Sequence, residues 1–580
     1  MADGRRLTTW QIYASPVRAG DRRGPYRFVE ATGEGIGCVD DVARAAIVYL
    51  RHHQGTGSTK SLASALEALA FVRALRAGDG TYYNFVDAGG TINQTGPTSR
   101  KGLNWWTARA FWATAEAIRI LGPSSSSAMV AALEVDARRT VGALARHLEG
   151  RRGRFETIGS ARLPAWLVAG AADVTAVFVL GLAALVEAAP DPVARDLLET
   201  FAAGIAACEL GSPGRYPYHA HMPSRALMYW HAYGAHMLHA LAVAGRVLGR
   251  RSLLEAACRE ADNLSMHLLI SGGPIWGFTP PPRAYPQIAY GLSPQVLGLL
   301  ELDRAADQFA PPAVWRERRG RSRAPVDHGR MAGLMGSWLF GTNPAAEAVF
   351  DPLTGRVFDG IDPRGVSLDS GAESTIEGLM TMLELQRHPG LAPLVEAREI
   401  ARRAPVVFEV EAGACPRSRP ASREEFSGGK GLTLAPGSSV TLDAGVDPGA
   451  YQLAPVLVRD GGGTGEGLSI ETTTRHGARR FEVSLPSASL SWPMAESAPP
   501  TEVELDRSSM VTIRLAPTAS AAIDLDCIVV QPVVEFRVFA APSGRVAAVR
   551  NLSRSPRSVD LPGRPERTIV PGLASLLIDY

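Results

Sequence analysis

Apolar residues recur at three-to-four spacing through most of the first four hundred positions of the chain, and at two-residue spacing after that. Trp105, Ala108, Phe111, Trp112, Ala115 and Ile118 give the plainest helical stripe. The same texture predicts helices over Val39–His53, Lys60–Ala77, Trp105–Leu121, Ala128–His147, Val174–Ala188, Pro192–Glu209, Ser224–Leu248, Leu253–Ile270, Ile288–Leu302, Arg330–Phe340, Ser374–Arg387 and Leu394–Arg402. Several are apolar over more than one stripe, as expected of a helix packed against both an inner and an outer neighbour. Short loops rich in Gly, Pro and aromatics separate them, and no strand pattern is read between them. A dozen helices in hairpins, with no fixed-length repeat, predict an all-α (α/α) six-hairpin toroid over 1–403.

Near Arg402 the period changes to two. Val406–Glu411, Leu432–Leu434, Ser439–Leu442, Tyr451–Leu453, Leu468–Ile470, Phe481–Leu485, Met510–Leu515 and Ile523–Val530 read as strands between Gly/Pro/Ser/Asp turns. They predict an all-β jelly-roll sandwich over 404–533. Arg545–Arg550, Arg567–Val570 and Ala574–Asp579 form a C-terminal β extension, 534–580.

Composition narrows the function classes. The 580 residues carry 60 Lys+Arg against 58 Asp+Glu, so the near-zero balance gives no footprint for nucleic acid or an anionic membrane. The arginines at 316, 318, 319, 321 and 323 stand in a Pro/Gly-flanked stretch without interleaved aromatics, the pattern of a solvated loop. Five widely spaced cysteines, with no CxxC or Cys/His spacing, fit neither a disulfide framework nor a zinc site. The N-terminus lacks an apolar signal segment, and the most apolar stretch, 164–188, is broken by Asp173 and glycines. These features predict a soluble, cytoplasmic protein.

The chemistry lies in the loops. Asp40 and Asp41 precede a helix, where one carboxylate is accounted for as a cap and the second is not, with Arg44 one turn later. Tyr83, Asn84, Asp87, Asn104, Trp105, Trp106 and Arg109 mix flat rings with amides and charge, the combination that grips a sugar's apolar face and hydroxyl rim. His219, His221 and Tyr229 form a third group; the two histidines lack a third metal ligand and suit hydrogen bonding in a sugar cleft. Asp359, Asp369 and Glu373 open onto the penultimate helix, and Gly371 and Ser370 make a poor cap there, which leaves Glu373 free to act as an acid.

Val39–Ala45, Tyr83-Asn-Phe, Asn104–Trp112 and Ser370–Glu377 resemble the six-hairpin glycosidase superfamily of (α/α) toroids over most of residues 30–400. The resemblance implies a cleft at one end of the barrel with two carboxylates across it. Phe408–Ala412 and Ile523–Val530 are similar to jelly-roll carbohydrate-binding modules, which implies a structural calcium on Glu409, Glu411 and Asp526. The leading expectation is a glycoside hydrolase on an oligosaccharide or glycoconjugate, with Glu373 as acid, Asp40 or Asp41 as base, and Asp359 in reserve. Inversion is expected from the resemblance, and no cofactor is expected for catalysis. Two alternatives stay open. One is a uronate lyase or sugar epimerase using Tyr218, His219 or Tyr229 with Arg109 or Arg225; the other is a non-catalytic glycan-binding protein. A carbohydrate is the expected partner, with no nucleic acid or membrane; sugar identity and oligomeric state are left open.

Overall fold

The computed structural model describes all residues except 1–3, 5, 31–32, 123–127, 159–160, 223–229, 275, 279–281, 309–325, 414, 416–417, 424–425, 427–428, 459–466, 484–494, 498–500 and 520. Tyr229, Arg225 and the arginines at 316–323 lie outside the described residues.

Helical hairpins build the first part of the chain. They are α1 (Val39–Thr56) with α2 (Thr59–Ala74), α3 (Trp105–Leu121) with α4 (Ala128–Leu148), and α5 (Ala172–Ala188) with α6 (Pro192–Ala206). Next come α7 (Met237–Leu248) with α8 (Arg251–Glu260) and α9 (Met266–Ser271), then α10 (Ser293–Gln308) with α11 (His328–Gly336), and α12 (Ala372–Gln386) with the short α13 (Ala392–Val395). Local chemistry sets their starts: Asn104 and Ser58 accept backbone N–H bonds at their N-caps, and Asp191 caps α6 with Pro192 at its first position. Helix α1 packs on α3, α3 on α5, α5 on α7, α7 on α10, α10 on α12 and α12 on α1, which closes an inner ring. The outer layer is α2, α4, α6, α8 and α11, each against its hairpin partner.

The ring is parallel. Arg109 near the start of α3 reaches Asp40 at the start of α1, and Asp173 at the start of α5 pairs with His231 just before α7 (3.2 Å). At the other ends, Arg51 bridges Glu116 (2.8 Å) and Glu384 (3.0 Å), while Arg246 pairs with Glu187 (2.7 Å) and with Glu301.

Several elements differ from the sequence expectation. Of the helix expected over Ser224–Leu248, 224–229 lie outside the described residues, Trp230–His231 is a strand, Ala232–Gly234 a 3-10 turn, and Met237–Leu248 is helical. The helix expected over Leu394–Arg402 is replaced by the four-residue α13 and a strand, Arg398–Arg403. Short hairpins also stand between helices, among them Phe155–Ile158 with Ala161–Pro164 and Glu209–Ser212 with Arg215–His221. With α13 so short, the outer layer leaves an apolar groove of 1090 Å³ against Tyr49, Leu379 and Met382.

The strand Arg398–Arg403 pairs with Val534–Ala541, which continues to Gly544–Asn551 and Ser575–Asp579 in one antiparallel sheet. Phe539, Val546 and Ala548 on one face join the core of the helical ring, whereas Phe536, Val538 and Val549 face a small cluster with Val559 and Val570. The sandwich is inserted between the first two strands of this sheet. One of its sheets centres on Gly449–Val458 paired with Ile523–Pro532; the other contains Ser439–Asp443, Met510–Leu515, Leu468–Thr474 and Gly477–Val483. They share a core that includes Leu434, Leu453, Leu525, Val440, Ile470 and Ile513. Phe426 and Tyr451, two aromatics of the sandwich, are buried and offer no exposed ring face. Among the described residues no helix is long and apolar enough to cross a membrane.

Close approach of α3 and α5 requires a glycine. A Cβ on Gly181 would stand 2.6 Å from Phe111 Cδ1 and 3.2 Å from the backbone of Trp112. Gly181→Ala gains roughly 1 kcal/mol of helix propensity but overpacks a buried ring at a cost of about 1–3 kcal/mol. The expected result is a lower thermal midpoint; an unchanged or raised midpoint in a calorimetric scan would show that the two helices can separate freely.

Candidate active site

The first turns of α1, α3 and α12 meet at one end of the ring. The backbone N–H of Asp40 donates to Asn84 Oδ1 (3.1 Å), and that of Val39 donates to the Asn84 carbonyl (2.9 Å). Asn84 therefore pins the start of α1, and its own Nδ2 is held by the Thr98 carbonyl (3.1 Å). At the neighbouring inner helix, Asp359 Oδ1 accepts the N–H of Gly371 (2.9 Å) immediately before α12. The N-terminal arm clasps the same turn, where Ser370 and Ala372 donate to the carbonyls of Ala14 (2.9 Å) and Ile12 (2.8 Å).

Arg44 lies at the centre and is 1% exposed. Its Nη2 is 2.6 Å from Asp41 Oδ1 and 3.6 Å from Asp40 Oδ2. Its Nη1 is 2.8 Å from Glu373 Oε1 and 3.0 Å from Glu377 Oε1, and its Nε donates to the Asp40 carbonyl (3.2 Å). Arg109 pairs with Asp40, stands 3.9 Å from Glu373 Oε1, and lies over the Trp105 ring at 5.1 Å. Asp40, Asp41 and Glu373 each offer an oxygen within 4.8 Å of the others, the one such gathering of acids among the described residues. Those oxygens face two guanidinium groups, which occupy the place a cation would take. Glu373, with 35% of its side chain exposed, and Asp40, with 20%, face the opening, while Asp41 and Glu377 are buried behind them.

The environments of these carboxyls diverge. Burial pushes Asp41 up from 3.8 to about 6, with Glu373 and Asp40 adding to the rise and Arg44 opposing it. Burial also raises Asp359; nearby Asp369 and Glu373 add to this, and the Gly371 amide and Ser374 hydroxyl oppose it. Deeper on the axis, burial first and then Arg109 and Arg44 lower His236 to about 3, which leaves it a neutral imidazole. Its Nδ1 has no hydrogen-bond partner. Trp112 meets His236 and His239 edge-on, each at 6.2 Å.

Asp40, Asp41, Glu373, Asp359, Asn84, Trp105 and Arg109 are thus gathered here. Asn84 and Asn104 are occupied in building the turns; Asn104 Oδ1 accepts the Thr107 N–H (3.1 Å) as an N-cap. Trp106 donates Nε1 to the Tyr82 carbonyl (2.8 Å), Tyr83 is half-buried, and exposed Asp87 closes its own turn by accepting the Thr91 N–H (2.8 Å). The histidines expected to bind sugar are engaged elsewhere. His219 Nδ1 meets Glu209 (2.5 Å), a residue also held by Arg259, and His221 is buried against Glu260 of α8. Tyr218 lies under Arg550 of the C-terminal sheet (3.8 Å) with its hydroxyl on Gln531. Glu377 was the residue missed; it follows Glu373 by four positions, the spacing that puts both on one helix face toward Arg44.

No family model and no curated protein matches the chain. Among solved structures it is similar to a sugar epimerase from a ruminal bacterium, at 12% identity over 67% of this chain and 94% of that one, with a TM-score of 0.43. It is also similar to the cellobiose 2-epimerase of Spirochaeta thermophila DSM 6192 (14%, 67% and 93%, 0.41). The unsaturated glucuronyl hydrolase of Bacillus sp. GL1 gives 17%, 66% and 92%, and 0.40. An exo-β-1,3-galactanase from Phanerochaete chrysosporium matches over 22% of this chain at 21% identity with a TM-score of 0.18, and the match spans 29% of the galactanase.

The Asp41 environment has a measurable consequence. A carboxyl held up at about 6 when folded, against 3.8 in the unfolded chain, keeps its proton in the folded state across that interval. Its contribution to stability therefore falls as pH rises from about 4 to about 6. In Asp41→Asn that fall should be absent, so the variant's thermal midpoint relative to wild type should rise between pH 4 and pH 7. An identical pH dependence in both proteins would remove Asp41 as the titrating group.

Proposed function

We propose that the chain is a carbohydrate-active enzyme that hydrolyses glycosidic bonds by carboxylate chemistry at the open end of the ring. The observation that carries this reading is the convergence of Asp40, Asp41 and Glu373 within 4.8 Å around Arg44 and Arg109, beside an Asp359 whose carboxyl is raised. Two acids in unlike surroundings are what acid/base cleavage of an acetal needs: one that keeps its proton to give to the leaving oxygen and one that stays charged. Asp359 is assigned as the acid and Glu373 as the charged partner. Arg44 and Arg109 hold the charge of Glu373 and Asp40, and Trp105 with Tyr83 offers a ring face to the sugar.

This reverses the roles expected for Glu373 and for Asp40 or Asp41. An inverting pair needs about 6.5–9.5 Å between its carboxyls to hold a water. Oxygens within 4.8 Å, bridged by a shared guanidinium, leave no such gap between Glu373 and Asp40 or Asp41. Inversion on this site places the water between Glu373 and Asp359. The lyase or epimerase alternative has less to stand on, because Tyr218 is engaged by Arg550 of the C-terminal sheet and Gln531 of the sandwich, and His219 by Glu209 of its own hairpin.

The structural calcium expected on Glu409, Glu411 and Asp526 stays a proposal with less behind it, since among the described residues only Asp40, Asp41 and Glu373 bring three acid oxygens within 4.8 Å of one another. Glu409, Glu411 and Asp526 all act on Cys527, whose thiol is pushed up by burial first and then by these acids. Oxygen donors of this kind suit a hard cation. Asp526 is fully buried, Glu409 is paired opposite Cys527, and Glu411 is exposed on a 3-10 turn instead of continuing the strand expected over Val406–Glu411.

On a panel of aryl glycosides and oligosaccharides, Glu373→Gln and Asp359→Asn should each lower kcat by about 10²–10⁴-fold at unchanged fold. Turnover equal to wild type in both, or glycan binding with no turnover anywhere on the panel, rejects the hydrolase. Chelation with EDTA should lower the melting temperature of wild type and leave Asp526→Asn unaffected; equal responses reject the calcium.

A further inference from the structure

We infer that this site takes a sugar whose contacting groups are neutral or cationic hydrogen-bond donors, and that it excludes sugars carrying a carboxylate. The inference rests on the carbohydrate reading above and goes further, because it follows from the balance of donors and acceptors at the ring mouth.

Four carboxylates, those of Asp40, Asp41, Glu373 and Glu377, converge on two guanidinium groups. Recognition of a substrate carboxylate relies on a guanidinium fork with free N–H groups. Arg44 offers none: its Nε, Nη1 and Nη2 are all engaged, and its side chain is sealed from the opening. Arg109 is 6% exposed, paired with Asp40 and laid over Trp105.

Helix N-termini are the other common home for an anion, and here each of the three already has an amide engaged by a side chain of the protein. Asn84 accepts the Asp40 N–H, Asn104 accepts that of Thr107, and Asp359 accepts that of Gly371. Acceptors, in contrast, are in excess. Asp40 Oδ1 and Glu377 Oε2 are buried with no hydrogen-bond partner, and Glu373 faces the opening. Exposed Asp369 adds negative charge at the same end. A hydroxyl or ammonium group arriving here finds carboxylate oxygens; a carboxylate finds like charge at short range, in surroundings that screen poorly.

The test is equilibrium binding to the full chain at pH 7 by calorimetry. The probes are glucose, glucosamine and glucuronate, with galactose, galactosamine and galacturonate as a second series. The expected order within a series is amino sugar equal to or tighter than the neutral sugar, with the uronate weaker by about tenfold or more. Glu377→Gln, which removes one acid from Arg44, should narrow the gap between neutral sugar and uronate. A uronate that binds as well as or better than its neutral counterpart overturns the inference and leaves the carbohydrate reading standing. Failure of all six to bind overturns the carbohydrate reading and this inference with it.

Discussion

The buried guanidinium of Arg44 is the interaction on which both the ring and its site depend. It sits on the first inner helix and binds Glu373 and Glu377 on the last one, so it closes the circle of helices. A charge removed from water to this depth is tolerable only if it is surrounded by partners, and breaking such a set by removing one member typically costs about 3–5 kcal/mol. Asp41, Asp40, Glu373 and Glu377 supply the partners. What keeps the ring shut therefore also gathers the acids. The parallel arrangement helps, since the first turns of α1 and α12 bring the positive ends of two helix dipoles to the carboxylates there.

Seven residues further along α1, on the same face, Arg51 repeats the device at the opposite end. It joins Glu116 of α3 to Glu384 of α12, while Arg246 of α7 ties Glu187 of α5 to Glu301 of α10. The two ends differ in access. At the lower end the long side chains pair across a cavity of only 140 Å³, so it acts as a clasp. At the upper end the acids are short or sit in first turns, and Asp40 and Glu373 remain open to a ligand. Between the two lie Trp112, His236 and His239, which burial keeps neutral. A neutral middle lets the axis carry polar groups without a third buried charge cluster.

The helices were legible where periodicity and caps agreed. Trp105–Leu121 was read to the residue, because Asn104 is a competent N-cap and the apolar stripe is unbroken. The sequence also marks Asp40, Asp41, Glu373 and Asp359 as carboxylates that local structure does not fully explain, and the fold brings them to one end of the ring. What failed was what depends on distant partners. Arg398–Arg403 holds Ala, Glu and Arg, good helix formers, yet pairing with Val534–Ala541 makes it a strand. His219 and His221 looked like ligand-binding residues because Glu209 and Glu260, which occupy them, lie 10 and 39 positions away. Asn104 and Asp87 show the opposite case, where a local cap or turn accounts for a side-chain oxygen of each. Glu377 was overlooked because its meaning depends on Arg44, 333 residues earlier.

The same dependence on distant pairing explains how a sandwich is accommodated inside a chain whose ring must stay closed. Its two ends leave from Arg398–Arg403 and return to Val534–Ala541, neighbouring strands of one sheet, so insertion requires no separation of the elements it interrupts. That sheet is bound to the ring by groups that cannot be detached cheaply. Arg537 donates to the carbonyls of Leu269 and Thr342 (2.9 Å each), and Arg550 donates to the carbonyl of Asn263 (2.9 Å). Asn263 lies in a π-helical turn, Ala261–Ser265, between α8 and α9, and such turns release carbonyls from the regular ladder. Glu535, fully buried, holds Arg550 (3.1 Å) and His267 (3.2 Å) together from the sheet side. The four-stranded sheet therefore belongs with the ring as one body. The sandwich is the added part, with a core of its own and with Phe426 and Tyr451 buried.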